Sequence, residues 1–148
     1  MYSTILAIHN IVRWLVLIFA VLAVIKALLG WFGKKKWTKL DNQLGLGFTI
    51  SMDVQVLLGL LLYFVFSPVT KAGFSDFGGA MSNSGVRFFL VEHSFLMIVA
   101  LALAHIGRSR AKKAKPAVAK FKSTAIFFGL SLLAVIMAIP WWRPLLPF

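Results

Sequence analysis

The sequence predicts an all-α fold, a transmembrane four-helix up-down bundle with both termini on the outer, periplasmic side. Three observations carry that prediction. The first is composition. Of the 148 residues 60 % are hydrophobic and 14 % charged, with a mean hydropathy of +0.89. The second is a set of four apolar runs, each near the roughly 20 residues that a helix needs to cross a bilayer. The third is the placement of charge. Lys26, Lys34, Lys35, Lys36 and Lys39 lie at the first connection, and Arg108, Arg110, Lys112, Lys113, Lys115, Lys120 and Lys122 at the third, leaving Arg13, Lys71, Arg87 and Arg143 for the other face. Short loops rich in Lys and Arg stay cytoplasmic.

The elements follow in chain order within a single domain, residues 1–148. The first helix spans about 5–32, with Ser3 or Thr4 of "MYST" as its N-cap. No small-residue cleavage site follows it and it exceeds a signal-peptide core, so it is expected to stay in the mature chain. The second helix spans about 44–66 and Pro68 stops it. Residues 67–85, "SPVTKAGFSDFGGAMSNSG", lack an apolar period and read as a surface loop. The third helix spans about 86–106 and the fourth about 124–142. Trp141 and Trp142 suit the outer headgroup region, and Trp31 and Trp37 the inner one. No internal repeat stands out.

The net charge of +12 raises nucleic acid as a partner, but its position argues against that. A basic membrane face has anionic lipid headgroups as its natural partner. The chain has no cysteine, which excludes disulfides, thiolate metal sites and haem attached through C-x-x-C-H. No acidic cluster for a hard metal, Ser-His-Asp spacing or Gly-rich phosphate loop is present.

Ionisable residues inside membrane spans are costly and are functional candidates by default. Here they are His9, Arg13, Asp53, Glu92, His93 and His105. With a rise of about 1.5 Å per residue, His9 lies about 6 Å below the start of helix one and His93 about 7 Å below that of helix three. The two sit at matching depth, while His105 is at the opposite end. Residues three and four apart share a helix face. Below His9 that face reads Arg13, Val16, Ala20, Ala23, Ala27; below His93 it reads Met97, Ala100, Ala104, Gly107. Close packing through small residues explains the alanines, but not an imidazole heading each stripe. Helices one and three are diagonal neighbours in an up-down bundle, and bundle cores are where cofactors are held. His9 and His93 are therefore candidate axial ligands of a haem iron, against the simpler alternative of two snorkelling interfacial histidines. Arg13 and Arg87 are candidate cations for the propionates, with Phe88, Phe89, Phe95, Trp14 and Trp142 as an apolar wall. Glu92 is placed to pair with Arg13 or Arg87. His105 reads as an interfacial histidine, with a second haem or a quinone contact as the alternative.

Asp53 lies near the midplane of helix two, where a carboxylate must be neutral, paired or watered. One reading is a protonated carboxyl bonded to Ser131 or Gln55. The other makes Asp53, Gln55 and Ser131 a proton-relay or quinone site.

The segments "HNIVRWLVL", "LGLLLYF", "RFFLVEHSFLMIVALALAHIG" and "KFKSTAIFFGLSLL" carry a resemblance. Its marks are His9-x-x-x-Arg13-Trp14, Gly59 before Tyr63, and Arg87-Phe88-Phe89 with Glu92-His93. The chain resembles, over nearly its whole length, a family of small four-helix membrane proteins of Bacteroidetes-type bacteria commonly labelled "cytochrome B". That resemblance implies non-covalent haem b and electron transfer. Related sequences carry a further histidine in helix two near "ISMDVQ", where this chain has Met52-Asp53, so a third ligand is not expected.

The function expected is that of an inner-membrane b-type cytochrome-like electron carrier with a bis-histidine haem near the periplasmic face. It would be a carrier or a subunit and not a stand-alone enzyme. The alternative is a cofactor-free accessory subunit of a larger respiratory complex, with a homodimer as a further arrangement. A proton-coupled carrier using Asp53 ranks third, since no inverted repeat or broken helix is evident.

Overall fold

Helix α1, Tyr2–Phe32, has two faces that the sequence sets at helical spacing. His9, Arg13, Val16, Ala20, Ala23, Ala27 and Gly30 are buried, while Ile11, Leu15, Ile18, Leu22, Ile25 and Leu29 are exposed. An apolar face turned outward and a small-residue face turned inward is the membrane pattern, because lipid is as apolar as leucine and close backbone approach drives packing. Met1 occupies the N-cap and no side chain caps the helix, so Ser3 and Thr4 lie within the first turn and not at its cap. The computed structural model describes residues 1–147.

Lys34 adopts a left-handed backbone (φ 50) and turns the chain into α2, Lys39–Leu61. Helix α2 begins before the expected Leu44 because Thr38 and Asp41 form a capping box, which satisfies otherwise unpaired first-turn N–H groups. Lys26 of α1 reaches the same carboxylate at 2.8 Å. The helix continues through a π turn, Leu62–Phe66.

The segment expected to be an irregular loop is three short helices: α3, Pro68–Ser75, α4, Phe77–Ser82, and α5, Ser84–Arg87. Ser67, Asp76 and Asn83 cap them in turn. Each is too short to show an apolar period, which is why the sequence pattern hides them. A second π turn, Phe88–Glu92, leads into α6, His93–Lys113. That helix runs past the expected end at Ile106, since Lys and Arg are good helix formers whose stems reach along the helix. Helix α7, Ala117–Ala138, starts earlier and ends earlier than expected. Pro140 disfavours helical geometry at Ile139, whose ψ is 128.

Four helical segments, Tyr2–Phe32, Lys39–Phe66, Ser84–Lys113 and Ala117–Ala138, are long and apolar enough to cross a membrane. The chain is an all-helical bundle of multi-pass membrane type. Helix α1 packs on α2 and α7, and α6 packs on α7 and, least closely, on α2. Helices α1 and α6 thus face each other diagonally. Their small residues meet around Phe48 and Phe128, whose rings are 4.8 Å apart. At Gly107 a Cβ would fall 2.5 Å from Phe127 Cβ, so α6 and α7 can approach this closely only with glycine there.

The π turns loosen carbonyl groups from the helical ladder. Side-chain hydroxyls take them up: Tyr63 donates to Leu90 O at 2.9 Å, Thr70 to Tyr63 O at 2.6 Å, and Ser94 to Phe89 O at 2.8 Å. These bonds tie α2, α3 and α6 together at the end of the bundle that carries both termini.

Candidate functional site

At that terminal end the bundle encloses a cavity of about 810 Å³. Its polar lining includes His9, Asn10, Arg13, Gln55, His93 and Arg143. Leu60, Phe64, Val91, Phe95 and Ile98 both line it and are exposed. They belong to α2, α6 and their π turns, so the cavity opens sideways between those two helices. Residues 140–147 fold over the end, with Pro140, Arg143, Pro144 and Leu146 in the lining.

His9 and His93 meet across this cavity. Their ring centroids are 6.3 Å apart and their planes are 63° apart. His93 Nδ1 lies 2.7 Å from Ala138 O and donates to it. That acceptor exists because Pro140 stops α7. The last carbonyls of a helix have no partner within it, and His93 takes one of them. Its Nε2 therefore holds a lone pair and has no hydrogen-bond partner among the described residues.

His9 Nε2 lies 3.2 Å from the Gln55 amide, and its Cε1 is in van der Waals reach of Gly59. Its Nδ1 is buried without a partner, as is Gln55 Oε1. Amide and imidazole orientations follow from the hydrogen-bond network. With the Gln55 amide nitrogen donating to His9 Nε2 the ring hydrogen sits on Nδ1; turning the amide so that Oε1 accepts from Nε2–H frees the Nδ1 lone pair and leaves the amide nitrogen without a partner instead. Each imidazole then has one nitrogen anchored by protein and one nitrogen free, the pattern of a metal-ligating histidine. Phe88 and Phe89 rings are each 5.9 Å from the His93 ring.

The predicted cations separate. Arg13 is buried and donates to Leu145 O and, at 3.4 Å, to Asn10 Oδ1. Trp14 Nε1 donates to the same Leu145 carbonyl at 3.3 Å. Arg13 thus fastens the C-terminal segment over the cavity. Arg87 does not line the cavity; its Nε pairs with Glu92 at 2.9 Å. Arg143, which the sequence placed only at the outer face, lines the cavity, with its guanidinium 4.3 Å over the Phe89 ring. Nothing in the local pattern "WWRPLL" announces that, since the segment is irregular. Phe89 and Phe95 line the cavity, while Phe88 and Trp142 pack on each other at 4.6 Å behind it.

The proposed partners of Asp53 need correction. Ser131 is fully buried and donates to Ala100 O at 2.7 Å, and Gln55 is held by His9. Asp53 Oδ1 instead meets His105 Nε2 at 2.7 Å. The extension of α6 to Lys113 puts His105 well inside a span, not at its end, and opposite Asp53 on α2.

Among the described residues no group of three or more His, Cys, Asp or Glu side chains could hold a metal ion. No protein-family model, curated protein or solved structure matches the chain.

Proposed function

We propose that the chain is a b-type cytochrome-like electron-transfer protein of the bacterial inner membrane, with one haem b between His9 and His93 near the periplasmic face. The observation that carries this is the pair itself: two imidazoles from diagonal helices, each with one anchored and one unpartnered nitrogen, on the wall of one cavity. A metal–imidazole bond is about 2.0 Å, so two rings on opposite sides of one ion have centroids roughly 6 Å apart. The 6.3 Å separation agrees with that. A volume of about 810 Å³ lies within the usual range for cofactor sites.

Bound haem b would supply one-electron exchange at iron. The residues of this chain do the rest. Ala138 O and Gln55 hold the two imidazoles in one tautomer each. Arg13 and Arg143 bring positive charge to the cavity's end, where carboxylate groups would pair with them. Phe89, Phe95 and the 140–147 segment keep water away. The family resemblance and the charge asymmetry support the same reading.

The test is the absorption spectrum of protein expressed with haem available. The expected result is a Soret band that sharpens on dithionite reduction. His9→Ala and His93→Ala should each lose the haem or convert it to high spin, and His105→Ala should do neither. Unchanged low-spin spectra in both variants would refute the ligand assignment. A colourless wild-type protein would replace the electron-carrier reading with that of an accessory subunit of a larger complex.

A further inference from the structure

At the end of the bundle opposite the histidine pair, α2, α6 and α7 enclose a second cavity of about 220 Å³. Arg108 and Lys112 of α6 and Lys120 of α7 line it, together with Asn42, Trp37 and the buried Phe128. Most cations of this end are exposed, but Arg108 and Lys120 are half-buried. Arg108 could snorkel outward along its stem. Its guanidinium instead turns across to α2, where Nη1 donates to Asn42 O at 3.2 Å. A Cβ on Gly45 would stand 3.2 Å from the same nitrogen, so glycine there leaves the room that the guanidinium takes. Lys120 Nζ donates to Ala111 O at 2.8 Å and lies 5.8 Å from the Trp37 ring centroid.

These contacts fix the two cations without neutralising them. The chain has four acidic side chains, and each is engaged elsewhere. Asp41, also in the lining, has Oδ1 on Lys26 at 2.8 Å and Oδ2 on Thr38. Asp53 meets His105, Glu92 meets Arg87, and Asp76 caps α4. Three positive charges therefore line one cavity with no acidic side chain left to offset them. Their mutual repulsion is screened less where burial excludes water.

Donors are in surplus as well. A guanidinium carries five N–H donors and an ammonium three. Arg108 Nε and Nη2 have no protein acceptor among the described residues, and Lys120 keeps two N–H groups beyond its bond to Ala111 O. The complement is a compact anion with several acceptor oxygens. A carboxylate offers two oxygens in one plane. A phosphate group matches the guanidinium fork and still has oxygens for cations on a second helix. Trp37 on the cavity wall is of a residue type that collects at membrane–water interfaces, the depth of lipid phosphates. Leu46, exposed one turn deeper than Asn42, offers apolar surface to an acyl chain.

We infer that this cavity binds a phosphate group at the basic membrane face. The site is separate from His9 and His93 and does not depend on what they hold. Two carriers share that chemistry, an anionic phospholipid and a soluble phosphate.

The purified protein in maltoside detergent is titrated calorimetrically with dioctanoylphosphatidylglycerol, with dioctanoylglycerol, which lacks the phosphate, and with inorganic phosphate. ¹⁵N-arginine labelling locates binding at the Arg108 Nε–H resonance, assigned by its loss in Arg108→Gln. Support would be saturable binding of the phosphatidylglycerol with a shift of that resonance, and none of dioctanoylglycerol. The same shift with inorganic phosphate alone would keep the site and make its ligand soluble. Arg108→Gln and Lys120→Gln should each weaken binding about tenfold, the worth of a hydrogen bond to a charged group. Lys122→Gln removes one charge from the same end, but Lys122 is exposed and stands 5.9 Å over the Trp31 ring. At about 0.15 M salt it should change binding by no more than about twofold. Circular dichroism verifies that all three variants fold. Three results would each overturn the proposal. The first is no saturable binding of either phosphate compound. The second is equal weakening by Lys122→Gln and Arg108→Gln, the mark of a diffuse basic face. The third is dioctanoylglycerol binding as tightly as the phosphatidylglycerol, the mark of a lipid contact indifferent to phosphate.

Discussion

Replacing Asp41 by alanine should destabilise the bundle by about 2–3 kcal/mol, a sum of two losses. One is the cap. Asp41 Oδ2 accepts from the Thr38 backbone N–H at 2.7 Å and from the Thr38 hydroxyl at 2.8 Å, and losing such a cap costs about 1 kcal/mol. The other is the ion pair to Lys26 at 2.8 Å, with Asp41 3 % and Lys26 33 % exposed. Exposed pairs contribute up to about 1 kcal/mol, while breaking a buried pair costs about 3–5 kcal/mol. Lys26 can snorkel to the headgroups once released, so the lower part of that interval applies, about 1–2 kcal/mol. Asp41→Asn retains an acceptor for Thr38 N–H and should lose the ion pair alone, about 1–2 kcal/mol. Reversible unfolding in mixed micelles by SDS titration, followed by circular dichroism, measures both variants. A double-mutant cycle with Lys26→Met isolates the pair. Equal losses for Asn and Ala, or no coupling to Lys26, would refute the division between cap and ion pair.

Gly107→Val should break the α6–α7 contact, because the added Cβ meets Phe127 Cβ at 2.5 Å; a loss of several kcal/mol, or no folded protein, is expected by the same titration. Lys34→Gly should stabilise by about 1 kcal/mol, since Lys34 has φ 50 and glycine accepts that backbone without strain. Arg13→Leu should free the C-terminal segment from its hold on Leu145 O, which hydrogen exchange of residues 141–147 would report as faster exchange. Single cysteines at Ser75 and Ser109, in a chain with no others, test orientation. An impermeant reagent outside intact cells should label Ser75→Cys and spare Ser109→Cys, and the opposite pattern would reverse the bundle.

The spans and the inward faces were legible because helical period and small-residue spacing act locally. The stripe from His9 to Ala27 is buried as its spacing requires, and Ala100, Ala104 and Gly107 are buried below His93. The meeting of His9 and His93 was legible from their matching depth, their inward faces and the diagonal placement of the two helices. What the sequence hid depends on groups distant in the chain. The anchor of His93 is a carbonyl that becomes free only because Pro140 ends α7. The partner of Asp53 was hidden by a helix boundary. With α6 ended at Ile106, His105 belongs at the headgroups; with α6 extended to Lys113, it lies opposite Asp53. The capping role of Asp41 was readable in "TKLD", but it was masked by reading that stretch only as part of a basic loop.

The opening of the terminal cavity and the Asp53–His105 pair lie along one seam, between α2 and α6. Helices α2 and α6 pack least closely of the neighbouring pairs. Both carry π turns, Leu62–Phe66 and Phe88–Glu92, at the same end of the bundle. Such turns require hydroxyl partners for the loosened carbonyls, and Tyr63, Thr70 and Ser94 supply them. The Tyr63 bond to Leu90 O also ties the two π turns to each other across the seam. The separation admits the cavity at one level of the seam. Two turns further along, it exposes the Asp53–His105 pair. The opening of the cavity and the half-exposed Asp53–His105 pair thus share the face between α2 and α6.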